Sequence, residues 1–423
     1  KFLKVVARGQ FVMATNLDYQ SKKKDIFEKL SSGKIKLYQL DDLVGLDLAT
    51  RIRREFVESQ LDLCLENIGN FCLDPKTCTA NIENMIGTVQ VPLAIVGPVK
   101  IVGEYATGNF SLPLATTEGA LAASVNRGCS VINKSGGAQV VVLKDFQTRS
   151  ILFKVNSIVE AKRFCIWVYE NFEDLKKVGE QDEDFIRVEK INPYVVGLNV
   201  WLQLEANTGD AMGMNMITIA GKKIVEYIVS VFRGVEFISE SGNMCVDKKP
   251  SAMNLINGRG KKVVASVMIS KEIVENNLKT TVDCLVDLNY RKNILGSASA
   301  GSLGYNAHFA NIIAAMFIAM GQDVAHVVDG SHGFTTVEKS GKNVLFSVTL
   351  PALQVGVIGG GTVLATQNEC LRILGVHAPI KETGYNSKKL AEIIAVGVLA
   401  GELSLIGALC SHDLARSHKR LNR

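Results

Sequence analysis

Apolar positions between Tyr19 and about Glu66 recur at helical spacing among many charges, broken at Ser31-Ser32-Gly33 and carrying a basic cluster at Arg51, Arg53 and Arg54. That pattern predicts an N-terminal helical domain. From Ile82 the chain changes to short apolar runs punctuated by glycine and proline, such as Val89 to Pro98, and small residues with a glutamate then open a helix at Thr116 to Ser124. Between about Ser150 and Ser239, strand-like runs (Ile151 to Val155, Val200 to Glu205, Val235 to Ile238) alternate with helical ones (Ser157 to Phe172, Thr218 to Phe232) around a polar loop at Glu180 to Asp184. This order predicts a small α+β sandwich inserted into a larger mixed domain. Glycine-rich turns and apolar helices return from Gly242 to Gly407, whereas Ser411 to Arg423 is polar and basic with no face that must pack, the pattern of a C-terminal flap.

Two stretches, Ser302 to Met320 and Ala391 to Cys410, are apolar enough to test as membrane spans. The first contains Asn306, His308 and Asn311, and the second contains Glu392 and Glu402, so buried core helices are expected and no membrane. A length of 423 residues suggests two or three domains, and 47% hydrophobic with 21% charged residues is the balance of a folded protein. The net charge of +5 is too small to argue for nucleic acid, though it suits a substrate carrying phosphates. The nine cysteines show no C-x-x-C pair and no His/Cys ligand spacing, so reduced thiols, a cytoplasmic location and no metal are expected. No secretory signal is visible; Met13 is read as the native start, and residues 1–12 are left out of the fold argument.

G-x-G-x-x-G after a strand, a Walker loop, a G-x-S-x-G elbow and H-E-x-x-H are all missing, so a dinucleotide would need a site other than a Rossmann crevice. What remains is a set of polar residues in glycine-rich, apolar surroundings, where an unpaired charge is costly. Glu118 stands among small residues that leave room for a ligand, or is a first-turn glutamate meeting a helix dipole. Asp247-Lys248-Lys249-Pro250 places three charges in one turn, catalytic or merely solvated. Asp323, just past the apolar run Ile312 to Met320, is a cap or a catalyst; His308 alone reads as a core histidine. The Met-rich run Asp210 to Met216 normally signals adaptable packing. Gly359-Gly360-Gly361 is more specific, because consecutive glycines in an apolar segment permit close backbone approach to a ligand.

In order along the chain, Glu83-Asn84-Met85-Ile86-Gly87, Thr116-Thr117-Glu118-Gly119, Asp210-Ala211-Met212-Gly213-Met214-Asn215, the run from Ser241-Gly242-Asn243 to Asp247-Lys248-Lys249-Pro250, Gly321-Gln322-Asp323 and Gly359-Gly360-Gly361-Thr362 resemble the motifs of the HMG-CoA reductase family, in its form found in archaea and eukaryotes. The resemblance runs from about Lys34 to Arg423. It implies an α+β protein with an N-terminal helical domain (13–80), a large HMG-CoA-binding domain (81–149 and 239–410), a small inserted ferredoxin-like NAD(P)-binding domain (150–238) and a flap (411–423). It implies reduction of HMG-CoA to mevalonate and CoA in isoprenoid biosynthesis, by a homodimer or homotetramer with the active site between protomers. The implied catalytic set is Glu118, Lys248, Asp323 and His418. The implied substrate contacts are Arg149, Ser241, Asn243, Asp247, Lys249, Lys292, His308 and Asn311, with Leu405 against the substrate methyl and Tyr38 against the CoA adenine. Cofactor contacts are implied for Asp210, Met212 to Met216 and Gly359 to Thr362.

These residue types suit the chemistry. Lys248 can hold an oxyanion, His418 can protonate a departing thiolate, and Glu118 can protonate an aldehyde oxygen if a nearby Asp323 raises its pKa. Arg149, Lys249 and Lys292 can fix a free carboxylate. NADPH is the expected cofactor. NADH is the alternative, because Gln181-Asp182-Glu183-Asp184-Phe185-Ile186-Arg187 is acidic where relatives meet the 2′-phosphate, unless Arg187 or Lys190 reaches it.

Overall fold

The structure, a computed structural model, describes residues 15–377 and 382–411. The expected start at Met13, His418 and all of the flap beyond Ser411 lie outside the described residues. The chain divides into two compact units, Lys1–Val91 and Pro92–Arg423.

In the first unit, α1 (Thr15–Ser31) and α2 (Leu46–Leu61) enclose a small core of Ile26, Leu40, Ala49 and Ile52. The basic cluster on α2 is structural in large part. Arg53, 1% exposed, lies 2.9 Å from Asp41 and donates from Nε to the Leu37 carbonyl at 3.0 Å, which fixes the turn bearing the exposed Tyr38. Arg54 donates to the Ile86 carbonyl at 3.0 Å, and Arg51 pairs with Glu55 at 2.7 Å.

The second unit is built on one long strand. β1 (Leu93–Gly103), β2 (Thr107–Ala115), β3 (Ala138–Val155), β7 (Gly260–Ile269), β8 (Gly304–Tyr305), β9 (Gly333–Ser340) and β10 (Asn343–Leu353) form a sheet in the order β2-β1-β3-β7-β10-β9-β8. The first half of β3 pairs antiparallel with β7 from Gln139 to Phe146. Its second half, from Gln147 to Lys154, pairs instead with β5 (Asn199–Asn207). β4 (Arg187–Val196) adds to β5, and β6 (Val235–Ser239) to the far side of β3, giving an antiparallel order β6-β3-β5-β4. With its intervening helices this is the ferredoxin-like βαββαβ arrangement, around a core that includes Phe153, Phe164, Val188, Leu204 and Ile224.

Local differences from the sequence pattern have local causes. The helix expected over Ser157 to Phe172 breaks at Asn171 into α4 (Ile158–Glu170) and α5 (Phe172–Glu180), so the polar loop starts only after Glu180. β4 was hidden by Lys, Glu, Asn and Pro in an edge strand, where such residues are tolerated. α6 (Met214–Val231) starts four residues before the expected Thr218, because Gly213 at φ +94° turns the chain into it; Met214 to Met216 are therefore helical.

α3 (Leu121–Lys134), α7 (Phe309–Met320), α8 (Ala365–Ile373) and α9 (Tyr385–Cys410) complete the unit. α9 is long and apolar enough to cross a membrane, yet 83% of its apolar window is buried inside the protein. A methyl on Gly128 of α3 would meet the Ala400 carbonyl oxygen of α9 at 1.9 Å, so glycine is what lets the two backbones touch. Both acids of α9 are fully buried and act as loop anchors. Glu392 accepts from the N–H groups of Glu104, Tyr105 and Ala106 at 3.3, 3.0 and 2.6 Å. Burial pushes its carboxyl above the usual range, against the pull of those three donors. Glu402 accepts from Ala307 N–H (2.9 Å), His308 N–H (2.6 Å) and the Thr335 hydroxyl (2.6 Å).

Glu392→Ala orphans three N–H donors, each worth roughly 1–3 kcal/mol when left buried and unpaired. We expect a loss of about 2 kcal/mol or more, read as a lower denaturant midpoint; an unchanged midpoint would contradict the anchoring role.

Candidate active site

The segment from Ser241 to Pro250 is a strained turn held from below. Asn243, Val246 and Lys248 all have left-handed φ (62°, 51° and 57°), which ordinary residues keep only where surrounding contacts demand it. Those contacts are side chains of neighbouring strands and of the short helix Ala252–Asn257. Trp201 Nε1 donates to the Gly242 carbonyl (2.8 Å), Gln203 Nε2 to Met244 (2.8 Å), Thr148 Oγ1 to Cys245 (3.2 Å) and Asn254 Nδ2 to Val246 (2.9 Å). The Lys248 N–H donates to Asp329 Oδ2 at 3.2 Å.

Asp329 belongs to a buried charge cluster. Arg259, 0% exposed, stands between Asp247 (3.0 Å) and Asp329 (3.4 Å), donates to Thr148 Oγ1 (2.9 Å) and reaches the Met214 sulfur at 2.8 Å. His326 and Gln354 also bond Asp329 Oδ2, at 3.0 and 2.6 Å. Asp247, His326 and Asp329 bring ligand atoms within 4.8 Å of one another, a spacing that could hold a metal, but the guanidinium already supplies the positive charge there.

Above this cluster, Lys248 Nζ lies 2.8 Å from Asp323 Oδ2, both side chains partly exposed. Burial alone would raise the Asp323 carboxyl, but the Lys248 hydrogen bond, His326 and the Ala325 N–H together hold it below the ordinary range. Asp323 comes off α7 through Gly321, where a methyl would stand 2.3 Å from the Gly361 oxygen. The Gly-Gln-Asp segment and the triple-glycine loop thus pack backbone to backbone, and Gln322 Oε1 accepts the Gly356 N–H at 3.0 Å. Gly359 and Gly360 (φ 73° and 55°) face open space, and the Thr362 hydroxyl closes the loop on the Gly359 carbonyl at 2.7 Å. The Met-rich segment runs alongside: Ala211 pairs with Ile358, the Val357 N–H donates to the Asp210 carbonyl (2.8 Å), and Asp210 Oδ1 accepts the Ser387 N–H (2.8 Å). The Met212 carbonyl accepts from Gln147 Nε2 at 3.0 Å, and Asn215 is exposed in the first turn of α6.

A second group gathers at the start of α7. Glu118, in the loop between β2 and α3, accepts from Asn311 Nδ2 at 3.0 Å. His308 precedes α7, and its Nε2 is buried with no partner, as is Arg149 Nε on β3. Such atoms are usually satisfied by something. Lys292, in a π-helical stretch over Asn289–Gly296, donates to Asn293 Oδ1 (3.2 Å), and Lys249 folds onto the Asp247 carbonyl (3.0 Å). Ser241 and Asn243 are exposed, and Leu405 is half-buried on α9. Tyr38 belongs to the first unit, and His418 lies outside the described residues.

Asp323 is paired with Lys248, which favours its charged form, and Glu118 accepts from the neutral Asn311 amide. Asp247, expected at the substrate, turns Oδ1 inward to Arg259. Arg259, His326 and Asp329 were not picked out from the sequence. The available signals were Gly258 and Gly260 flanking Arg259, both at positive φ, and two ionisable residues in the otherwise apolar run Val324 to Gly330.

An α+β protein with an amine, two separately held acids, unpartnered guanidinium and imidazole nitrogens and an open glycine loop has the equipment of an enzyme acting on an anionic carbonyl compound. The family model for hydroxymethylglutaryl-coenzyme A reductase matches residues 49–423. The 3-hydroxy-3-methylglutaryl-coenzyme A reductases of Pyrococcus abyssi and Methanocaldococcus jannaschii are each 48% identical to the chain, covering 94% of it and 99% of their own length. A Cannabis sativa reductase is 40% identical, over 97% of this chain and 73% of that one. The chain belongs to the hydroxymethylglutaryl-coenzyme A reductase family. Its fold matches a Streptococcus pneumoniae reductase with a TM-score of 0.63 at 16% identity, over 84% of this chain and 96% of the other; a class II streptococcal structure bound to NADPH matches at 0.61 and 15%.

Arg259→Met strands the buried Asp329 carboxylate beside Asp247. Removing one partner of a buried ion pair typically costs about 3–5 kcal/mol. We expect a loss of that order in chemical denaturation, partly restored by Arg259→Lys; full stability of the Met variant would contradict the cluster's role.

Proposed function

We propose that this chain reduces (S)-HMG-CoA to mevalonate and CoA, consuming two NADPH and two protons. The observation that carries the reading is the Lys248 ammonium, presented on a strained turn at 2.8 Å from Asp323 and anchored through its own N–H to a buried carboxylate. Such an amine is preorganised for a negative oxygen, the arrangement that most lowers a carbonyl-reduction barrier. Lys248 holds the thioester oxygen as it becomes anionic in the first reduction, and Asp323 fixes the ammonium. His418 protonates the sulfur as the carbon–sulfur bond breaks. Glu118, oriented by Asn311, protonates the aldehyde oxygen in the second reduction. Arg149, Lys249 and Lys292 bind the free carboxylate, with Ser241, Asn243, Asp247 and His308 around the hydroxyl, Leu405 against the methyl and Tyr38 against adenine.

Gly359 and Gly360 fit a nicotinamide cofactor, since no atom lies within 4 Å of where their side chains would begin. NADPH supplies one hydride to each reduction. Gly361 and Thr362 shape that loop, and Asp210 with Met212 to Met216 forms the adjoining wall. The inserted segment 150–238 is the cofactor module, between the two parts of the large domain and distinct from the helical segment 13–80. NADH is a second reading favoured by one observation: the cations near the acidic loop are engaged there. Arg187 donates to the Ile186 carbonyl (2.7 Å), and Lys223 bonds Gln181 and lies 3.9 Å from Glu183.

A homo-oligomer is the proposed working form. Val102, Val141, Leu143 and Met268 are exposed on adjacent strands β1, β3 and β7, while Ile101, Val140 and Ala265 face the helices. A second copy covering that apolar face removes it from water. The flap and the cytoplasm remain the proposed closing element and location.

In the decisive assay, HMG-CoA drives oxidation of two NADPH per mevalonate formed while acetyl-CoA drives none, and Glu118→Gln forms no mevalonate but still binds the CoA thioester. Absence of HMG-CoA-dependent oxidation with either nicotinamide would overturn the reading.

A further inference from the structure

His326 is a buried imidazole that the proposed chemistry leaves unused. At 0% exposure it lies between two carboxylates of different surroundings. Its Nδ1 is 3.0 Å from Asp329 Oδ2, inside the protein, and 3.8 Å from Asp247 Oδ1. Its Nε2 is 3.7 Å from Asp323 Oδ2, the same oxygen that receives Lys248, and has no hydrogen-bond partner. A neutral ring that gives its Nδ1 proton to Asp329 turns a lone pair toward the Asp323 carboxylate, which is repulsive. A ring protonated on both nitrogens satisfies both acids. The charge on the ring and the charge on Asp323 are therefore linked across 3.7 Å.

We infer that His326 is a positioning residue for the reduction: held by Asp329, it sets the charge of Asp323 and, through it, the hold on Lys248. The charged and titratable groups around it come from every packed element. Asp323 precedes its own turn, and Asp329 follows it. Asp247 and Lys248 come from the strained turn, Arg259 from the approach to β7, and His332, itself held below its usual range by burial despite Asp329, from the loop before β9. Arg259 is occupied by Asp247, Asp329 and Thr148, which leaves the His326 ring as the group aimed at Asp323 from within. When the oxygen held by Lys248 takes up its proton, the Asp323–Lys248 pair must readjust, and an imidazole behind it can share or release a proton from the buried side of the pair.

The inference rests on the proposed reductase reading, and the test separates the two. In His326→Gln, loss of the facing cation lets Asp323 protonate at higher pH, so the acid limb of the kcat profile moves up by roughly one unit while KM for HMG-CoA holds. His326→Asn, with a smaller amide in the same space, should move the limb in the same direction. A merely structural histidine would lower kcat equally at every pH and leave the limb in place, which overturns the proposal. Should neither variant fold, the coupling is read from the other side: in protein labelled with 15N-histidine, Asp323→Asn should shift the titration of one buried histidine to lower pH. No responsive histidine overturns the inference whether or not HMG-CoA is turned over, whereas a responsive one in a chain inactive on HMG-CoA keeps the coupling and rejects the reductase reading.

Discussion

Asp329 has no exposure to solvent, and its Oδ2 collects the Lys248 N–H, the Arg259 guanidinium, the His326 ring and the Gln354 amide. The turn that presents Lys248 leans on that oxygen. Arg259 balances its charge and carries the load on to Asp247 and Thr148, so the base of the turn is tied to β3. A lysine at φ +57° would relax if its N–H lost that anchor; with it, the ammonium is delivered to Asp323. Buried ion pairs are poor sources of net stability, and their better-attested value is in specifying one arrangement. Here that arrangement is the orientation of Lys248.

The larger architecture serves the same end. β3 belongs to both sheets, so the small inserted sheet is tied to the large one at Gln147 to Ser150, where Gln147 bonds Met212 and Thr148 bonds Arg259. α9 contributes rigidity from behind. Glu402 fixes the Ala307-His308 corner from which α7 departs, and α7 in turn carries Asn311 to Glu118 and ends at Gly321 next to the triple-glycine loop. Placing two carboxylates in the core is costly unless every oxygen is satisfied, and both glutamates meet that condition with backbone donors.

Much of this was legible in the chain. Helix and strand alternation over Ser150 to Ser239 implied the inserted α+β sandwich, and Asn306, His308 and Asn311 in one apolar run with Glu392 and Glu402 in the other pointed to core helices. Lys248, Asp323 and Glu118 stood out because charge among glycines and apolar residues requires a reason. Local pattern could not reveal the pairing: whether Asp323 would meet Glu118 or Lys248 depends on segments dozens of residues apart converging through Gly321 and Gly361. The fully buried cluster escaped for a related cause. Arg259, His326 and Asp329 carried only weak local signals, the flanking glycines and the apolar run Val324 to Gly330, and only the tertiary fold shows that solvent has left them. β4 was masked in the opposite way, since an edge strand tolerates the polar residues and proline that argue against a strand.

The central claim is that Asp329 acts on the reaction through Lys248 and not separately from it. A double-mutant cycle on kcat for HMG-CoA reduction tests this, using Asp329→Asn, Lys248→Met and the pair together. If the carboxylate works by presenting the ammonium, Asp329→Asn costs activity in the parent but little further once Lys248 is gone. Losses that multiply independently in the double variant would contradict the account.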